Sequence, residues 1–153
     1  MKEWSSTNHA SLLLWNIEGL RNAMANAPIN TIAKHDAIIL TETFLTEEYN
    51  IHGYYGIHSF AQHTEGRPAG GVSIFLKPSL GTIKNTIKDD NTVIIKTTEI
   101  TIIGLYINPQ TKAHDAIEKI MEAVSHTTSD KRILLAGDLN CRIDRPNHKT
   151  DLV

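Results

Sequence analysis

Ile133-Leu134-Leu135-Ala136-Gly137-Asp138-Leu139-Asn140 is an apolar run that ends abruptly in an acid and an amide two residues apart. In an extended backbone residues i and i+2 point to the same side, so a carboxylate and a carboxamide project together from one strand end. Two further runs end alike. Leu12-Leu13-Leu14-Trp15 leads into Asn16 and Glu18, and Ala37-Ile38-Ile39-Leu40 leads into Thr41 and Glu42. Three strands tipped with oxygen donors point to one shared site, and so to a sheet architecture whose strand ends converge.

Working outward, apolar or β-branched runs occupy residues 11–15, 36–40, 71–76, 93–96, 101–106 and 133–136. Their lengths and branching favour strands, several of them buried on both faces. Pro28 can open a short helix through Ala33, and residues 113–124 place Ala116, Ile117, Ile120 and Val124 on one helical stripe that packs on the core. Gly70-Gly71, Pro78, Gly81 and Asp89-Asp90-Asn91 supply turn signals between the middle strands, which suits hairpins. The order is β-α-β, several strands, α, then β. An all-parallel sheet does not fit, whereas two packed mixed sheets with outer helices do. No repeat, linker or low-complexity tract interrupts the pattern.

The 153 residues suit one domain, which ordinarily buries about 68–70% of its unfolded surface. With 41% hydrophobic and 21% charged residues the composition is globular, not disordered. Fifteen basic against 17 acidic residues give a net charge of −2, which argues against coating nucleic acid by bulk charge and leaves room for a local basic patch. The run Leu12 to Trp15 is too short for a signal-peptide core or a membrane span, so no membrane association and an intracellular location, nucleus or cytoplasm, are expected. The single Cys141 excludes an intrachain disulfide; it follows Asn140, but no base motif accompanies it, and strand-end packing is the expected role.

Asn16, Glu18, Glu42, Asp138 and Asn140 are all oxygen donors, the ligand type of hard cations such as Mg²⁺. An ion held there would polarise a phosphoryl oxygen, with an Asp placed to activate water. Phosphoester hydrolysis is the chemistry implied. A single acid at a strand end is more often a cap or turn residue, so the pattern as a whole carries the weight.

At these residues the chain resembles the endonuclease/exonuclease/phosphatase superfamily, and within it the apurinic-endonuclease-like domains of non-LTR retrotransposons. Trp15-Asn16-Ile17-Glu18-Gly19-Leu20-Arg21 is similar to the family's first motif, whose Asn helps hold metal and phosphate. Leu40-Thr41-Glu42-Thr43 resembles the segment whose Glu is the principal metal ligand. Gly66-Arg67-Pro68-Ala69-Gly70-Gly71-Val72 is similar to the Gly-rich loop and strand that follow. Leu105-Tyr106-Ile107-Asn108-Pro109 resembles the segment whose Tyr contacts the scissile phosphate. Gly137-Asp138-Leu139-Asn140 resembles the motif whose Asp orients or deprotonates the nucleophile and whose Asn contacts phosphate. Thr41 stands for the usual Gln, Leu139 for Phe, and Asn108-Pro109 inverts the commoner order.

The resemblance implies an α/β fold, a four-layer α-β-β-α sandwich of two mixed sheets, incomplete at the C-terminus, with residues 1–153 as the N-terminal part of one domain. It implies a metal-dependent endonuclease of retroelement type acting on DNA. Asp138, Asn140, Tyr106 and Asn16 would be catalytic; Glu42, Asn16 and Glu18 would hold metal. Mg²⁺, with Mn²⁺ as an alternative, would be the cofactor, and a reverse transcriptase domain would follow in a longer product. Tyr106 is expected to serve function rather than packing. Arg21, Arg67, Arg142 and Arg145 lie near the motif loops, where phosphate contact competes with a solvated-surface reading. The family's closing Ser-Asp-His motif has no counterpart after Asn140, and His148 reads as a solvated loop residue. Two alternatives therefore stay open: a catalytically silent remnant, and a phosphatase of small phosphoesters. Uncovered strand faces would make the polypeptide marginally stable or prone to aggregate.

Overall fold

The computed structural model describes residues 9–27, 29–63 and 65–141. Strand β1 (Leu12–Asn16) leads through helix α1 (Leu20–Asn26) and a 3₁₀ turn (Ile29–Thr31) to β2 (Ala37–Thr41). There follow β3 (Tyr55–Ser59), a two-residue-per-strand ribbon of β4 (Gln62–His63) and β5 (Pro68–Ala69), and β6 (Val72–Leu76). A second 3₁₀ turn (Pro78–Leu80) leads to β7 (Ile83–Asp89), β8 (Thr92–Thr97) and β9 (Thr101–Tyr106); helix α2 (Ala113–Ser125) then crosses to β10 (Ile133–Asp138).

The strands form two four-stranded mixed sheets ordered β1-β2-β6-β3 and β10-β9-β8-β7. Each has one parallel pair, β1 with β2 and β9 with β10, and each pair is bridged by a helical crossover, the connection that parallel neighbours require. The other pairings are antiparallel, and Asp89 to Thr92 close the β7–β8 hairpin through Asn91 at φ 53°, a left-handed conformation that Asn tolerates.

The alternation of side chains along β2 sets the layers. Ala37 and Ile39 join Val72, Ile74 and Leu76 against Val93, Ile95 and Ile102 of the other sheet. Ile38 and Leu40 face the opposite way, with Phe75, onto Leu20 of α1, Ile32, Leu45 and Ile51. On the far side, Ala123 of α2 covers Ile94 and Ile103, and Ala116 covers Leu105 and Ile107. The result is the expected α-β-β-α sandwich. Each fully buried Ile or Leu side chain in it contributes about 1.5–3 kcal/mol relative to exposure.

All six anticipated strands are present, and two details differ from expectation. The α2 stripe is rotated: Ala113, Ala116 and Ala123 are buried, while Ile117 and Val124 are exposed, because alanines let the helix lie close to the sheet. Beyond that helix, Cys141 is exposed and its Sγ–H reaches only the Leu139 carbonyl, so it does not pack at the strand end. The expected Pro28 helix survives as the turn Ile29–Thr31; Pro28 itself, Arg142, Arg145, His148 and the closing residues through Val153 lie outside the described residues. No helix among the described residues is long and apolar enough to cross a membrane.

Candidate active site

The carboxyl ends of the two parallel pairs lie together at one end of the sandwich. In register, Asn16 stands beside Thr41 at the tips of β1 and β2, and Tyr106 beside Asp138 at the tips of β9 and β10. Such strand ends are where open α/β sheets commonly bind ligands, since the chain leaves the sheet there in loops that need no ladder partners. The loops are stitched by main-chain bonds: Ile17 N–H to Thr41 O (3.0 Å), Gly19 N–H to Glu42 O (2.8 Å) and Ile107 N–H to Asp138 O (2.9 Å).

Asn16 and Asp138 meet across the two sheets. The Asn16 Nδ2 donates to Asp138 Oδ2 at 3.1 Å, and the main-chain N–H of Asn140 donates to Asp138 Oδ1 at 3.0 Å. Both Asp138 oxygens are thereby oriented, with lone pairs left for a further donor. Committing its amide nitrogen to Asp138 turns the Asn16 Oδ1 elsewhere, and that oxygen is buried without a hydrogen-bond partner. A buried acceptor left unsatisfied is uncommon in folded proteins and fits a missing cation or donor.

Tyr106 is 6% exposed, and its ring belongs to the inter-sheet core. Its hydroxyl donates to the Glu42 carboxylate; burial, then that bond, then the charges of Glu42 and Asp138 push its pKa well above the usual 10.0. It stays a donor across the physiological range. In Tyr106 core packing of the ring and a polar contact of the hydroxyl therefore coexist. Glu18, Glu42 and Asn140 all sit at positive φ, 48°, 51° and 49°, a conformation non-glycine residues seldom adopt and one that concentrates at functional sites. Asn140 is fixed further by a 2.7 Å bond from Nδ2 to Ile107 O, which leaves its second N–H for another acceptor.

Of the residues singled out in the sequence, Asn16, Glu42, Tyr106, Asp138 and Asn140 come together. Glu18 stands apart, exposed, at the rim of a neighbouring cleft of about 350 Å³ lined also by Gly19, Arg21, Phe44, Arg67 and Pro68. Arg21 lies in a 2.8 Å ion pair with Glu47 and over the Tyr49 ring, which is the surface role weighed for it. Phe44 escaped the sequence reading, although it lies two residues after Glu42. So did an exposed trio at the start of α2, His114, Asp115 and Glu118, whose ligand atoms lie within 4.8 Å of one another. Among the described residues it is the one set of three acid or His side chains close enough to share an ion. Glu18, Glu42 and Asp138 make no such set by themselves.

The sequence profile of the endonuclease/exonuclease/phosphatase family matches residues 13–145. The chain belongs to this family. An endonuclease/exonuclease/phosphatase fold is one built for phosphoester hydrolysis, and enzymes of the family depend on divalent metal. No curated protein sequence matches the chain significantly. Among solved structures, an AP endonuclease from Archaeoglobus fulgidus aligns with TM-score 0.65 at 17% identity over 86% of this chain and 58% of that one. The 3′ phosphatase NExo from Neisseria, bound to product DNA hairpin, aligns with TM-score 0.59 at 15% identity over the same shares. At these identities the likeness is one of fold. This family member spans 58% of the length of either structure.

The strand-end donors suit the family's metal. A carboxylate, Glu42, and an unsatisfied carboxamide oxygen, Asn16 Oδ1, are hard ligands of the kind Mg²⁺ or Mn²⁺ accepts alongside water and phosphate.

Proposed function

We propose that the chain is a Mg²⁺-dependent phosphodiesterase domain acting on DNA, an endonuclease of retroelement type. The observation that carries this reading is the meeting of Asn16, Glu42, Tyr106 and Asp138 at the joined ends of the two sheets, with the Asn16 Oδ1 buried and unsatisfied. Glu42 and Asn16 hold the ion, Glu18 facing the adjoining cleft rather than the ion, and Mn²⁺ can take its place. When bound, the ion polarises a phosphoryl oxygen and steadies the leaving oxygen. Asp138, oriented by Asn16 and the Asn140 main chain, takes the proton of the attacking water. Tyr106 keeps Glu42 in place and offers its hydroxyl toward the phosphate, and the remaining N–H of Asn140 grips a phosphate oxygen.

DNA is supported as substrate by the printed descriptions of the aligned structures, an AP endonuclease and a phosphatase bound to DNA. A retroelement origin accords with the ordered motifs and would pair the domain with a reverse transcriptase in a longer product.

Conversion of supercoiled plasmid to the nicked form, with Mg²⁺ and with EDTA, tests the reading. Cleavage should require the divalent ion and fall by roughly 10²–10⁴-fold in Glu42→Ala, the usual weight of one member of such a centre. Metal-independent nicking, or nicking untouched by the substitution, would sink it.

A further inference from the structure

We infer that the cleft beside the strand-end centre is a base pocket: it receives the nucleobase next to the scissile phosphate and stacks it on Phe44. This rests on the phosphodiesterase reading and names a substrate element that the reading leaves open.

The first argument is position. The cleft is lined by Thr43, the residue after Glu42, and by Glu18, two residues after Asn16, so it adjoins the loops that leave the strand-end centre. Its volume of about 350 Å³ falls within the range of small-ligand sites, about 300–1,000 Å³.

The second is the backbone of Phe44. Its φ is 54°, left-handed, where a bulky side chain is a genuine outlier. Strain of this sort persists only where the surroundings impose it. Here the Phe44 N–H is tied to Gly70 O at 3.1 Å, and the ring lies against Gly19, where an added Cβ would stand 3.3 Å from Phe44 Cδ2. Core packing does not explain the arrangement: Phe44 is only half-buried and lies outside the clusters formed by its neighbours Leu20, Leu40 and Leu45. The chain bears an unfavourable backbone angle to hold an aromatic face at the cleft.

The third is charge. Arg21 and Arg67 line the same cleft as Phe44, and Arg67 is carried there by the turn between β4 and β5. An aromatic face with guanidinium groups beside it matches a nucleotide, base on ring and phosphate on Arg. The Arg21–Glu47 pair is solvent-exposed on both sides and so is weak enough to yield to a phosphate. Stacking is tolerant of base identity, so the pocket selects for the presence of a base and not for its kind.

The test is a coupling measurement on the whole chain in EDTA, where cleavage is silent. Fluorescent oligonucleotides carrying a single tetrahydrofuran abasic site, moved stepwise along the strand, are titrated with the native protein, Phe44→Leu and Phe44→Tyr. Removing the base at one position should weaken native binding about tenfold, the scale of one base–aromatic stack. Phe44→Leu should bind the fully base-bearing strand about tenfold more weakly and lose its sensitivity to the abasic site, while Phe44→Tyr keeps both, which controls for folding. If base removal costs Phe44→Leu as much as it costs the native protein, the pocket is overturned while the phosphodiesterase reading stands. If no oligonucleotide binds and no plasmid is nicked, both fall together.

Discussion

Removing the Tyr106 hydroxyl separates packing from chemistry, because the ring fills the core between the sheets while the oxygen bonds Glu42. Tyr106→Phe should cost only about 0.5–1.5 kcal/mol of stability, the net worth of one hydrogen bond. It should weaken divalent-ion binding by about 10–100-fold, since Glu42 loses the partner that orients it. Calorimetric Mn²⁺ titration beside urea denaturation checks both halves; unchanged ion affinity would show that the hydroxyl positions nothing. Asn16 illustrates why amides matter at this scale: facing a carboxylate at 3.1 Å, an Asp in its place would set two negative charges against each other. These residues were legible in the sequence because each ends an apolar run. Phe44 was not, since its informative property is a backbone angle imposed by Gly70 and Gly19.

At the scale of elements, the β9–β10 pair explains the glycine that precedes Asp138. A Cβ on Gly137 would lie 1.9 Å from the Leu105 carbonyl oxygen, a main-chain atom that cannot step aside without moving the strand. Gly137→Ala should therefore destabilise by about 3 kcal/mol and displace Asp138, read as a lower urea midpoint together with lost plasmid nicking. The β3–β6 pair carries a different constraint. His58 and Ser73 are direct neighbours in register; Ser73 Oγ lies 2.8 Å from His58 Nδ1, and the His58 Nε2–H donates to Tyr49 O at 3.0 Å. Burial lowers the His58 pKa below its ordinary 6.5, although the Glu48 carboxylate opposes that shift. The unfolded chain thus binds a proton more readily than the folded one. His58 stability is complete above about pH 6.5 and is lost as pH falls from there toward the folded-state value. Urea midpoints at pH 7.5 and 5.5 should fall with acid in the native protein, with a smaller drop in His58→Asn. The same strand shows where sequence reading failed. Tyr55-Gly56-Ile57-His58-Ser59 has no apolar run, because a satisfied polar pair replaces one, and β7 places only Ile83 and Ile87 among polar residues. Helix α1 carries a helical spacing in Leu20, Ala23 and Met24, but it is only seven residues long and its first two, Leu20 and Arg21, close the motif that begins at Trp15, so no separate helical run stands out.

For the whole molecule, the two crossovers place β1 and β10 at the margins of their sheets, each with one edge unpaired among the described residues. Leu12, Leu14 and Trp15 of β1 and Ile133 of β10 are between 37% and 45% exposed, unlike the wholly buried β2, β6 and β9. Apolar edges of this kind invite strand addition, and a charge on the edge is the usual protection. The chain should self-associate at micromolar concentration, and Leu14→Lys should shift it toward monomer in size-exclusion chromatography with light scattering; a native protein monodisperse throughout would contradict this. The Asn16–Asp138 bond, finally, joins residues 122 positions apart. It closes a loop of nearly the whole chain, and such contacts form only after the entropy of bringing distant segments together has been met. The centre thus has no local precursor: neither sheet alone contains it, and it exists only where the two sheets have come together.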